Sequence, residues 1–141
     1  MTPTYQFLHA EAPKPFVWGH SDCALFMADW FRFLHGRDPA EHLRGAYDSA
    51  LSCERVCGWF SDPVTVVEGC MSDRGGCRIE DPLVGCVGVV AINADRRVVP
   101  VGAVLVADGV WGVRAQEKDR VMTLNFRAAQ PVAMWDIGYA P

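Results

Sequence analysis

Residues 22–35 constrain this chain more than any other stretch. Ser21 or Asp22 offers an N-cap, Gly36 offers a stop, and between them stand Leu25, Phe26, Met27, Trp30, Phe31, Phe33 and Leu34. At helical spacing these apolar residues cover more than one face. A helix that is apolar nearly all round has to be buried centrally. The spacing therefore predicts a helix over Asp22–His35 around which the remaining elements pack.

The length suits that plan. A chain of 141 residues fits one domain, 1–141. Half of its residues are hydrophobic and 21% are charged, a composition with enough apolar surface for a core. The net charge is −4, and Arg32, Arg37, Arg44, Arg55, Arg74 and Arg78 are dispersed, which argues against a nucleic acid partner. The apolar stretches Val84–Ile92 and Val98–Ala107 are Gly-broken and fall short of the roughly 20 residues of a membrane span. The opening residues lack the basic and apolar regions of a signal peptide, so synthesis in a cytoplasm is expected.

Along the chain, helices precede strands. Pro3, Pro13 and Pro15 suggest an irregular arm over residues 1–19. Asp38-Pro39-Ala40-Glu41 predicts a short helix ending at Gly45, and Asp48 or Ser49 another that runs to Val56 or Cys57 with Gly58 as its stop. Residues 61–82, rich in Gly, Asp and Pro, read as a loop with room for one short turn of helix. Beyond Val84 the β-branched runs predict antiparallel strands, with a turn at Asp95-Arg96 and shorter strands at 111–115, 121–125 and 132–137. The expected class is α+β, N-terminal helices packed on a C-terminal antiparallel meander.

The candidate chemistry centres on Trp18-Gly19-His20-Ser21-Asp22-Cys23. A cysteine in the first turn of a helix meets the positive end of the macrodipole and free N–H groups, which favour a thiolate. His20 stands three residues earlier and is the candidate base. The other five cysteines, Cys53, Cys57, Cys70, Cys77 and Cys86, contain no Cys-x-x-Cys and read as unligated thiols; a four-sulfur zinc or iron–sulfur site is the alternative. No cofactor is expected. The five tryptophans read as core, and Arg44 with Asp48 as a local ion pair or cap.

Pro15-Phe16-Val17-Trp18-Gly19-His20-Ser21-Asp22-Cys23 resembles the nucleophile motif of NlpC-type cell-wall peptidases, which are papain-like in fold. It is closer to NlpC-like proteins of siphophage and prophage tail gene clusters. Ala28-Asp29-Trp30, Gly36-Arg37-Asp38-Pro39, Arg44-Gly45-Ala46-Tyr47-Asp48-Ser49, Val87-Gly88-Val89-Val90 and a late Trp135 follow in that order. The resemblance spans residues 15–137. It implies a protein of the phage tail tip, assembled in the host cytoplasm, carried in the virion and docked on other tail tip or hub proteins. In a working papain-like site Cys23 would be the nucleophile and peptidoglycan the substrate. The pattern departs from such a site in one respect: His9, His20, His35 and His42 all lie in the first third, and Val99-Pro100-Val101-Gly102 stands where the strand histidine belongs. A structural protein with a degenerate site and an active cysteine peptidase with a base from His20 or from a neighbouring chain both remain open at this point.

Overall fold

The computed structural model describes residues 2–71, 75–94, 96–116 and 124–139. Within them lie four α-helices, α1 (Pro3–Glu11), α2 (Phe26–His35), α3 (Ala50–Cys57) and α4 (Pro63–Met71). Six strands follow: β1 (Cys77–Ile79), β2 (Val87–Ala94), β3 (Arg97–Ala107), β4 (Val110–Arg114), β5 (Leu124–Ala128) and β6 (Pro131–Asp136). The class is α+β, with one antiparallel sheet in the order β1-β6-β2-β3-β4-β5. β2 to β5 run as the expected meander. β6 then returns to the far side of β2, and β1 adds beyond it. None of the helices among the described residues is long and apolar enough to cross a membrane.

The central helix is where the apolar run demands it. Phe26, Trp30 and Phe31 are fully buried, and Gly36 closes the helix at φ 74° by returning its N–H to the Arg32 carbonyl at 2.8 Å. It begins four residues later than expected, because Asp22 to Leu25 form a separate turn. That turn seats on β3. The Gly102 N–H donates to the Cys23 carbonyl at 2.8 Å, and a Cβ at residue 102 would come within 2.8 Å of the Met27 side chain and 2.9 Å of that same carbonyl. Only glycine permits this approach.

Three expectations are corrected. Residues 1–19 are not an irregular arm throughout: α1 occupies Pro3–Glu11. Thr2 caps it by accepting from the Tyr5 N–H at 3.2 Å, and Pro3 takes the first helical position, where its missing N–H costs nothing. Phe7, on its buried side, meets Phe26, Trp30 and Phe33 at ring separations of 5.4, 5.1 and 5.6 Å. The stretch expected to be a loop with one short helical turn instead opens with a nine-residue helix, α4. Asp62-Pro63 is a start signal in its own right, with Asp62 accepting from the Thr65 N–H at 3.2 Å and from its hydroxyl at 2.6 Å, and α4 follows. Conversely, Asp38-Pro39 opens only a single 3₁₀ turn, Glu41–Leu43. One Asp38 oxygen caps Ala40 (3.0 Å), but the other is taken by the Arg44 guanidinium at 2.5 Å.

α3 matches its predicted span, with Ser49 and Ser52 forming a capping box and Gly58 closing it at φ 77°. β2 and β3 pair through Ala94 and Arg97, and Arg96 takes a left-handed φ of 68°; Asp95 lies outside the described residues. The three later strands fall within a few residues of their predicted spans, except that 121–123 of the expected 121–125 strand also lie outside.

Buried charge ties the helices to the sheet. Arg114 of β4 is wholly buried; it reaches Glu11 of α1 at 2.7 Å and Asp29 of α2 at 3.4 Å, and its guanidinium lies 5.1 Å from the centroid of the Phe26 ring. Asp29 also pairs with Arg44 at 2.7 Å, and Arg44 with Asp38. Arg114→Met removes the only fully buried cation of this group and leaves two acids behind, so a loss of about 3–5 kcal/mol in unfolding free energy is expected. Urea titration followed by far-UV circular dichroism measures it; a change below about 1 kcal/mol would mean that the pairing does not hold the layers together.

Candidate functional site

The segment before α2 is a compact knot. Val17 and Ser21 exchange backbone bonds at 3.0 and 2.9 Å, and the Ser21 hydroxyl donates to the Pro15 carbonyl at 2.6 Å. Gly19 has φ 82°, and a Cβ there would collide with the Tyr47 carbonyl. Asp22, completely buried, is the hub. One of its oxygens accepts from the Ala24 and Leu25 N–H groups at 3.0 and 2.9 Å. The other accepts from the Gly19 N–H at 2.8 Å and the Tyr47 hydroxyl at 2.7 Å. Four donors satisfy the carboxylate without a cation, as a buried acid requires.

This knot points Cys23 at a cleft of about 210 Å³ that it shares with Phe16, Trp18, Phe60, Val99 and Pro100. Phe16 and Trp18 pack edge to face at 5.0 Å. Trp59 fixes the opposite wall by donating its indole N–H to the Pro100 carbonyl at 3.1 Å. The position expected for a strand histidine thus does face the cysteine, and it is filled by an apolar wall.

The electrostatics oppose a nucleophile. Cys23 is only 5% exposed. Burial pushes its thiol far above the usual range, and the neighbouring Asp22 and Cys53 push it further. The Ala24 and Leu25 N–H groups donate to Asp22, and the backbone N–H groups of Cys23 and Ala24 lower the Cys23 pKa by less than burial and Asp22 raise it. His20 is exposed and does not line the cleft; its ring lies beside Gly45. The expectation that it could serve Cys23 thus finds no contact to support it. His35 bonds the Ile137 carbonyl at 2.7 Å, His9 stacks on Tyr5, and His42 lines a different groove. Among the described residues no imidazole enters the cleft.

Other side chains also differ from expectation. Arg44 does not pair with Asp48; it serves Asp38 and Asp29, while Asp48 accepts from the Ser52 hydroxyl at 3.2 Å. Among the described residues no three His, Cys, Asp or Glu side chains gather as a metal site, so the four-sulfur alternative is not formed there. Four tryptophans are core, as expected, but Trp18 is only partly buried and shapes the cleft. The Asp22–Tyr47 pair was missed. Its sequence signal was Tyr47 following Arg44-Gly45, and only the fold brings it within reach of residue 22.

Two outcomes are expected from this geometry. Iodoacetamide at pH 8 should label the exposed Cys77 and leave Cys23 untouched until the chain is unfolded, as read by peptide mass spectrometry. Stability should also fall in alkali. The raised Cys23 pKa stabilises the folded chain fully below the unfolded thiol value of about 8.5, and that contribution is lost as pH rises toward the folded value. Urea unfolding from pH 7 to 10 should show the decline, with a shallower slope in Cys23→Ala.

Residues 3–135 match the family model described as "Domain of unknown function (DUF6950)". No curated protein and no solved structure matches the chain.

Proposed function

The chain belongs to the DUF6950 family, and for this member we propose a non-catalytic role: an NlpC-like protein of a phage tail tip that acts in assembly and docks on hub proteins through a cleft that no longer cuts. The observation that carries the non-catalytic half is Cys23. Its thiol is buried, held neutral and faced by Val99 and Pro100 in place of a base. General-base activation of a nucleophile needs a base within hydrogen-bond reach, in papain-like sites an imidazole, and the described residues bring no imidazole into the cleft. The tail association is carried by the order of motifs from Pro15 to Trp135. The apolar lining of Phe16, Trp18 and Phe60 suits burial of a partner's side chains, since aromatic residues dominate interface energetics.

The test is peptidoglycan digestion by the purified chain beside Cys23→Ser, with binding to the tail tip proteins encoded nearby measured in parallel. Neither protein should release peptide fragments, and Cys23→Ser should bind as the wild type does. Phe60→Asp should weaken that binding by at least tenfold. Fragment release that disappears with Cys23→Ser would establish a working peptidase and end the scaffold reading.

A further inference from the structure

Cys53 and Cys57 lie one turn apart on α3, Cys53 within the core and Cys57 packed against it. Cys53 is fully buried, while Cys57 is half-buried. The Cys57 thiol donates to the Cys53 carbonyl at 3.3 Å, and Cys53 interacts with both Cys57 and the Tyr47 hydroxyl. Burial and the adjacent sulfur push the Cys53 thiol up. Cys57 also lines an outer groove of about 330 Å³, together with His42 and Asp62, so that one sulfur of the pair has a path to solvent.

We propose that Cys53 and Cys57 form a two-sulfur site for a soft, thiophilic monovalent cation of the Cu(I) type. A direct disulfide is the poorer outcome. Residues i and i+4 of a helix hold their Cβ atoms about 5–6 Å apart, whereas a disulfide requires about 3.5–4.5 Å. Closing the bond would unwind the last turn of α3 against its Gly58 cap. An ion inserted between the sulfurs spans the longer separation and leaves the helix intact. Two thiolates suit Cu(I), because soft ligands select soft cations, whereas zinc needs four ligands and the described residues gather no third. Binding breaks two S–H bonds, forms two Cu–S bonds and releases two protons to water; the copper stays Cu(I). The ion's single positive charge offsets one of the two thiolates, leaving one net negative charge on a pair whose Cys57 side opens to the groove.

The full-length protein is titrated anaerobically with Cu(I) supplied as its bicinchoninate complex. The wild type should withdraw one Cu(I) per chain and develop near-ultraviolet thiolate–copper absorption. Cys77→Ser should behave identically, and Cys57→Ser should bind at least tenfold more weakly. Circular dichroism checks that each variant is folded. On the wild type itself, bound Cu(I) should protect Cys57 from maleimide labelling, a readout that needs no variant. Equal affinity in Cys57→Ser, failure to compete with bicinchoninate, or labelling of Cys57 at an unchanged rate would each overturn the site.

Discussion

Asp29 is the point on which the layers of this protein turn. It sits on the central helix, 6% exposed, between Arg114 of the sheet and Arg44 beyond the 3₁₀ turn. Glu11 completes the arrangement from the N-terminal helix. A charge so placed is tolerated only when paired, and removing one partner strands the other in a medium that cannot solvate it. The pairing thereby selects one seating of α1 and α2 on β4, where apolar contacts alone would accept several.

That seating decides the chemistry of Cys23. The turn before α2 must press against β3 closely enough for the Gly102 N–H to reach the Cys23 carbonyl. The same closeness removes water from the thiol. A helix start can favour a thiolate, but here the helix proper begins at Phe26, and the Asp22 carboxylate also accepts from the Ala24 and Leu25 N–H groups of the preceding turn. Desolvation and a neighbouring carboxylate both favour the neutral thiol, and among the described residues no imidazole opposes them. The cleft thus holds a cysteine that the described residues do not activate, which is the physical basis for the proposed docking role.

Much of the fold was legible because it rests on local rules. The apolar run from Leu25 to Leu34 and the Gly36 stop located the central helix, Ser49 and Gly58 bracketed α3, and the β-branched residues after Val84 located the meander. The misses were local signals outweighed by others. Pro3 read as a helix breaker when it stood at a helix start, and Asp62-Pro63 was hidden in a Gly-rich stretch. Asp38-Pro39 gave a good start signal, but Arg44 drew the capping aspartate into an ion pair.

The candidate site divides along the same line. Composition and order placed Cys23 at a helix entrance, put no histidine after residue 42 and aligned Cys53 with Cys57 on one helical face; these follow from residue identity and helical period alone. What sequence could not supply was environment. The burial of the Cys23 thiol, the Tyr47 bond to Asp22, the facing of Pro100 and the cysteine, and the course of Arg44 and Arg114 to Asp29 join residues far apart in the chain. Such contacts depend on how the helices close on the sheet, because solvation and pairing of a group are set by its neighbours in space and not by its neighbours in the chain.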